Sequence, residues 1–166
     1  MDVIFQRRSI RRFTKEKVSD EAVRKLLKAA MAAPSAGNQQ PWEFIVIRDK
    51  ATFARIMEFH PYSTPLKEAD LAIVVCGNTV GEKHPGFWVQ DCSAATQNIL
   101  LEAQHLGLGA VWLGVYPRED RVKGVKAIFN LPDTVIPLAI VAIGYPAEQK
   151  EPVDRFDPVK VHYEKW

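Results

Sequence analysis

The sequence predicts a mixed α and β domain in which one sheet is covered by helices on both faces. Some segments repeat apolar residues at helical spacing, while others are short apolar runs of strand length. After two opening helices, strands and helices alternate along the chain, an order typical of a sheet between helical layers. The 166 residues are 47% hydrophobic and 25% charged, which suits one core. We therefore expect a single domain over residues 1–166.

The chain is expected to begin with two helices before the sheet starts. A short opening helix is predicted over residues 2–9. A better supported helix follows over residues 20–33, because Ser19 is a suitable N-cap and apolar residues recur at helical spacing from residue 23 to residue 30.

The sheet is predicted from four apolar segments. The run LAIVVCG at residues 71–77 is almost continuously apolar, which is typical of a central strand covered on both faces. The other strands are expected at residues 42–48, 110–116 and 137–145, and the later helices at 50–58, 87–106 and 118–129.

The chain is predicted to finish in an extended tail over residues 146–166. Three prolines lower the helix propensity of this segment. It nevertheless contains five large apolar side chains, Phe156, Val159, Val161, Tyr163 and Trp166. An extended segment of this composition needs a surface on which to bury them, and a partner subunit is one candidate.

Positive charge is concentrated near the start of the chain. Residues 1–17 contain six basic and two acidic residues, whereas the rest of the chain has 16 basic and 18 acidic residues. Four arginines lie in RRSIRRF, residues 7–13. They could form a solvated helix face, a nucleic-acid patch or a clamp for one phosphate, whose oxygens match the forked guanidinium donors. A nucleic-acid surface would spread its charge and interleave aromatic residues, so the pattern favours a small anion.

Several other classes of site lack their usual patterns. The four histidines show no metal-ligand spacing, so surface or helix-end histidines and no metal centre are expected. Cys76 and Cys92 are expected to be buried free thiols. Neither GxGxxG nor GxxxxGK[ST] is present. The absence of a signal-peptide pattern and of a membrane-spanning apolar stretch leads us to expect a cytoplasmic protein without a membrane partner.

The segment PSAGNQQPW, residues 34–42, is a loop by composition and is rich in polar side chains. It could be an ordinary connection between a helix and a strand. Its hydroxyl and amide groups could also bind a heterocycle with imide-like hydrogen-bonding edges.

Taken in order, RRSIRRF, PSAGNQQPW, DCSAATQNILLEA followed by GLG, and RFDPVKVHYEKW resemble the nitroreductase family of FMN-dependent oxidoreductases, in a short form. The resemblance spans nearly the whole chain. It implies an α+β fold whose central sheet is mostly antiparallel and flanked by helices on both faces. It also implies a homodimer in which the C-terminal extension, here residues 146–166, is exchanged onto the partner, with two FMN sites lined by both chains.

The resemblance also implies which residues hold the cofactor. Arg7, Arg8 and Ser9 match the segment that binds the FMN phosphate and ribityl chain, and Arg155 resembles a late basic residue that returns to the phosphate. Arg11 matches a basic residue near the pyrimidine edge, where a cation would favour the reduced, anionic flavin. The loop that the other subunit lays along the isoalloxazine is matched by Pro34, Ser35, Ala36 and Asn38. The backbone that approaches the ring near N5 is matched by Leu113 and Gly114.

The activity implied is hydride transfer from NADH or NADPH, through FMN, to a small electron acceptor such as a nitroaromatic or a quinone, by a ping-pong mechanism. No catalytic side chain is expected, because the flavin supplies the redox chemistry. The connection before the helix at residue 87 is short, which implies an open site. His84, Phe87 and Trp88 are candidates for its substrate side, although Phe87 and Trp88 could instead pack at the start of the helix. Arg12 is expected to lie on the surface.

Three other interpretations stay open at this point. The chain could bind flavin or sense redox state without turnover. It could be a relative that acts in dehalogenation or flavin breakdown. It could also be a small nucleic-acid binder, whose binding would depend strongly on salt.

Overall fold

The computed structural model of the chain describes residues 3–166. Helices and strands follow the predicted order, with two short 3₁₀ turns between them and a third in the C-terminal tail. The helices are α1 (Val3–Gln6), α2 (Asp20–Met31), α3 (Lys50–Phe59), α4 (Trp88–His105) and α5 (Glu119–Phe129), and the strands are β1 (Trp42–Ile47), β2 (Leu71–Asn78), β3 (Gly109–Gly114) and β4 (Val135–Gly144).

The four strands form one sheet in the order β1-β2-β4-β3, and every neighbouring pair is antiparallel. The apolar run predicted as a central strand is β2, whose residues 71–76 are fully buried between β1 and β4. The antiparallel sheet expected from the family resemblance is therefore confirmed. Because β2 and β4 lie between them, β1 and β3 are the two edges of the sheet.

The predicted helical layers on both faces of the sheet are confirmed. One core cluster joins the sheet to α2 and α4 through residues such as Leu26 and Ile99, and the other joins it to α3 and α5 through residues such as Phe53 and Val125. The predicted N-cap also forms, since Ser19 accepts a hydrogen bond from the backbone N–H of Ala22.

The opening helix is shorter than predicted. Residue 2 lies outside the described residues, and α1 ends at Gln6 instead of residue 9. The reason is that the chain then joins the edge of the sheet: Ser9 bridges Ala110 in parallel, and the Ile10 N–H donates to the Ala110 carbonyl. Because the backbone of Ser9 and Ile10 pairs with β3, it cannot form the hydrogen bonds of a longer helix.

The C-terminal tail is extended apart from one 3₁₀ turn at Pro158–Lys160, as predicted. Its largest apolar side chains are exposed in the single chain, with Phe156 at 76%, Tyr163 at 85% and Trp166 fully accessible. In the part of the chain that the structure describes, no helix is long and apolar enough to cross a membrane.

Candidate functional site

Three of the predicted phosphate ligands meet at one cavity, here called the arginine cavity. Arg7 and Arg8 reach it from the segment after α1, and Arg155 reaches it from the C-terminal tail. Its volume is about 370 Å³, and its other lining residues are Ile4, Phe5, Val153, Asp154 and Phe156. Two segments almost 150 positions apart in the chain are thus brought together around one concentration of positive charge.

Asp154 lines the arginine cavity, yet within residues 3–166 the three arginines form no ion pair. Among the described residues, none of its three arginines has a carboxylate within ion-pairing distance. Partial burial lowers the pKa of Arg7, and the neighbouring charges of Arg155 and Arg8 lower it further. Like charges held together without a counter-ion favour the binding of an anion, and planar guanidinium groups suit a phosphate.

A second cavity, here called the β3 cavity, lies along the edge strand. It has a volume of about 520 Å³. Arg11 lines it together with Leu113 and Gly114, as the resemblance implies, and the rest of the lining consists of Pro61, Tyr62, Thr64, Pro65, Val111 and Trp112. Ser9, a predicted phosphate ligand between Arg8 and Arg11 in the chain, lines neither cavity, and its carbonyl accepts a hydrogen bond of 2.8 Å from Lys150 Nζ.

Gly114 leaves an open space at one end of the β3 cavity. Of the nine glycines, four have positive φ, and four others would place a Cβ within 3.0 Å of a neighbouring side chain. Gly114 has neither property, because no described atom beyond Gly114 and its two chain neighbours lies within 4 Å of the position its Cβ would take. The fold therefore does not need a glycine here for its own packing, which points to the close approach of another molecule.

The polar loop before β1 is held in place by a residue of α4 that was not among the predicted site residues. Asp91 of α4, only 4% exposed, accepts hydrogen bonds of 2.9 Å from the backbone N–H of Ala36 and from Nε2 of Gln39. Ser35 Oγ accepts from the Gln40 N–H at 3.0 Å. These contacts hold a turn in which Asn38 adopts the left-handed conformation, with φ of 54°. The sequence offered one signal for Asp91, a carboxylate in the first turn of a largely apolar helix.

The loop residues do not line the β3 cavity of their own chain. Pro34, Ser35, Ala36 and Asn38 lead into β1, whereas Leu113 and Gly114 end β3 on the opposite edge of the sheet. Three strand spacings separate these edges, a distance of about 14 Å. Within one chain, the predicted cofactor residues therefore form two separate groups.

The other residues considered in the sequence lie on the surface, in the core or beside the polar loop. Arg12 lies on the surface as expected, where its Nε contacts Glu68 at 3.0 Å. Trp88 is buried against Gly77 and Tyr116, so it packs in the core, and Phe87 is 45% exposed. His84 contacts the Gly37 turn and accordingly lies beside the polar loop.

The titratable groups give no evidence of a thiol nucleophile. Cys76 and Cys92 are buried free thiols, as predicted, and burial raises the pKa of each to about 12. Within residues 3–166 there is no group of three or more His, Cys, Asp or Glu side chains that could hold a metal ion.

Comparison with known proteins gives similarities that extend over the whole chain. A sequence model of the Nitroreductase family matches residues 4–79 and 60–145. The chain is 51% identical over 166 residues to a protein of Methanothermobacter thermautotrophicus with the provisional name NADH dehydrogenase/NAD(P)H nitroreductase. The match covers 100% of this chain and 87% of that protein.

Solved structures of similar fold include an FMN-dependent nitroreductase and a nitroreductase in complex with FMN. The FMN-dependent nitroreductase of Clostridium difficile superimposes with a TM-score of 0.91 at 32% identity, covering 99% of this chain and 98% of that one. A provisionally named nitroreductase of Desulfovibrio desulfuricans, in complex with FMN, gives a TM-score of 0.85 at 34% identity and covers 99% and 95%.

Proposed function

This chain belongs to the nitroreductase family and has its fold, and we propose that it is an FMN-dependent oxidoreductase. The reaction proposed is hydride transfer from NADH or NADPH to a small acceptor such as a nitroaromatic or a quinone, by a ping-pong mechanism. The observation that carries the proposal is the arginine cavity, whose three guanidinium groups have no ion-pair partner among the described residues, together with a β3 cavity that ends at an uncovered glycine.

Arg7, Arg8 and Arg155 are the proposed phosphate ligands. A phosphate monoester carries close to two negative charges at neutral pH, which would relieve the repulsion among these three side chains. Their approach from two distant segments gives the phosphate donors on more than one side. Anchoring the phosphate would fix the position of the rest of the cofactor along the edge of the sheet.

Arg11, Leu113 and Gly114 are proposed to hold the ring system in the β3 cavity. Bound FMN would take hydride from the reduced nicotinamide and pass it to the acceptor. The Arg11 cation would stabilise negative charge on the reduced ring. Leu113 would supply an apolar contact, and the open space at Gly114 would let the backbone approach the ring closely.

A homodimer is proposed because each chain holds two separated parts of the site. The polar loop of one protomer, with Pro34, Ser35, Ala36 and Asn38, would cover the ring held by the β3 cavity of its partner. The exposed apolar side chains of residues 146–166 would cross onto the partner, which would remove them from water.

The visible spectrum of the purified protein tests this proposal. We expect flavin bands that bleach when NADH or NADPH is added under nitrogen and return when a nitroaromatic or a quinone is added. Steady-state oxidation of the nicotinamide with either acceptor should give the parallel double-reciprocal lines of a ping-pong mechanism.

The spectrum distinguishes the proposed enzyme from a flavin-binding protein without turnover and from a protein that binds no flavin. Flavin bands that neither nicotinamide bleaches would instead indicate a flavin-binding or redox-sensing protein without this turnover. A colourless protein that takes up no FMN during incubation would remove the assignment and return the arginines to the nucleic-acid or solvated-face interpretations.

A further inference from the structure

His60 is a buried polar group that the proposed reaction does not use. It caps the C-terminal end of α3, a helix-end position as expected for the histidines, yet only 1% of it is exposed. Both of its ring nitrogens are engaged. Nε2 lies 2.8 Å from the Gly114 carbonyl oxygen, and Nδ1 accepts a hydrogen bond of 3.3 Å from the backbone N–H of Tyr62.

These two partners determine the protonation state of His60. The Gly114 carbonyl can only accept, so Nε2 carries the proton, and the Tyr62 N–H can only donate, so Nδ1 carries none. The imidazole is therefore neutral. A second proton at Nδ1 would face the Tyr62 N–H and the Arg121 guanidinium, with Asp120 as the nearby acidic group.

Arg121 of α5 donates to the same carbonyl. Its Nη1 lies 2.8 Å from the Gly114 oxygen, and its guanidinium carbon lies 5.4 Å from the centroid of the Tyr62 ring. The Nε atom of Arg121 is buried and has no hydrogen-bond partner in the described chain. Two donors, one from the residue that caps α3 and one from α5, thus converge on one peptide carbonyl.

That carbonyl belongs to the residue that ends the β3 cavity. Gly114 is the last residue of β3, and a glycine at a strand end has little intrinsic resistance to rotation of its peptide plane. Its oxygen needs donors from outside the strand, and His60 and Arg121 supply them. Both residues also contact Tyr62, which lines the same cavity.

We infer that His60 and Arg121 are positioning residues that lock the Gly114 peptide and tie it to the Tyr62 wall, so that the β3 cavity keeps the width needed by the isoalloxazine. The inference rests on the proposed function, because it concerns the geometry of the same ring site. Neither residue lines the cavity, so each acts through Gly114 and Tyr62. Binding sites tolerate only small displacements of such backbone groups, which is why the lock matters.

The test compares four variants with the wild-type protein. His60→Leu removes both contacts, and His60→Gln retains an N–H donor for Gly114. Arg121→Met removes the second donor at similar length. Val125→Ala is the matched control, because Val125 is a buried core residue on the same helix as Arg121 and does not line the β3 cavity. FMN affinity would be measured by fluorescence quenching on the apoprotein, and the midpoint potential of bound FMN by equilibration with redox dyes.

We expect His60→Leu and Arg121→Met to weaken FMN binding by about tenfold, equivalent to about 1.4 kcal/mol, and to shift the midpoint potential. His60→Gln should recover most of the affinity. Val125→Ala should lower the melting temperature, with FMN affinity and potential unchanged.

Three results would overturn the inference. The first is wild-type affinity and potential in both His60→Leu and Arg121→Met. The second is a loss of FMN affinity in Val125→Ala as large as the loss in His60→Leu and Arg121→Met, when these variants have equal melting temperatures. A merely structural role would give that result. If His60→Leu does not fold, Arg121→Met decides alone. The third, a wild-type protein that binds no FMN at all, would refute the proposed function itself and this inference with it.

Discussion

Replacing Gly114 with alanine should leave the fold intact while damaging the proposed ring site. The new methyl group would meet no atom of the described chain within 4 Å, and the φ angle of Gly114 is outside the left-handed region. A glycine replaced under these conditions usually stabilises the protein by about 0.4–1 kcal/mol, because the unfolded chain loses freedom. For a chain of this length, that gain corresponds to a melting temperature raised by about 1–4 °C.

The effect on FMN should have the opposite sign. If the isoalloxazine packs against the Cα of Gly114, an added methyl group occupies space that the ring needs. Overpacking by such a group costs about 1–3 kcal/mol, which corresponds to a loss of affinity between about fivefold and 150-fold. The Gly114→Ala variant should therefore melt at or above the wild-type temperature and bind FMN more weakly.

Gly77→Ala is the matched contrast, since a Cβ at Gly77 would lie 2.4 Å from Cε3 of the buried Trp88. That variant should lose stability, while its FMN affinity, measured well below its melting temperature, stays near the wild-type value. Calorimetry and FMN titration on both variants suffice. A Gly114→Ala protein that is stable and binds FMN as well as the wild type would refute the assignment of this space to the ring. A loss of dimerisation without any change in monomer FMN affinity would assign the space to the partner chain instead.

Four other changes test the arginine cavity, the polar loop, His60 and the C-terminal tail. Arg7→Ala should weaken FMN binding by about 1.5–3 kcal/mol and leave riboflavin binding unchanged, whereas Arg12→Ala, on the exposed side of the same segment, should alter neither. Asp91→Asn should cost about 1–3 kcal/mol in the free energy of unfolding and make the loop before β1 more sensitive to proteolysis, because Asp91 accepts two hydrogen bonds from that loop. Burial holds the pKa of His60 below its ordinary 6.5, so its contribution to stability is complete above pH 6.5 and declines as the pH falls toward the lowered value. Urea midpoints of His60→Gln should accordingly fall less steeply below pH 6.5 than those of the wild type. Deleting residues 156–166, which keeps Arg155, should give monomers by analytical ultracentrifugation and weaken FMN binding.

The elements of the fold were predictable because their information is local. The apolar run of β2 and the spacing of apolar residues in α2 follow from periodicities of two and 3.6 residues that a sequence displays directly. The end of α1 was not predictable in this way, because the edge of β3, about 100 residues further along the chain, takes over the backbone at Ser9 and Ile10.

The candidate site likewise contains residues that the sequence indicates and residues that only the structure reveals. The family resemblance assigns Arg7, Arg8 and Arg155 to the FMN phosphate, and the structure brings these three side chains to one cavity, while their role stays a prediction. The sequence shows only that Asp91 and His60 lie near helix ends, because each contacts a backbone group more than fifty positions away. Only the packed structure shows that these polar side chains are buried and fully partnered.

The order of the strands explains why this chain would need a second copy to complete its chemistry. The proposed phosphate ligands, Arg11 and Gly114 all lie on the β3 side of the sheet, and the polar loop held by Asp91 enters the sheet at the β1 edge. Two buried strands keep these edges apart, so no small rearrangement within a monomer can join them. A two-fold axis that places the loop of one protomer over the β3 edge of the other would bring the parts together twice, once for each site. The exposed apolar tail, which begins beside the arginine cavity, would then stabilise the same assembly that completes the ring site, so that loss of the dimer and loss of FMN should occur together.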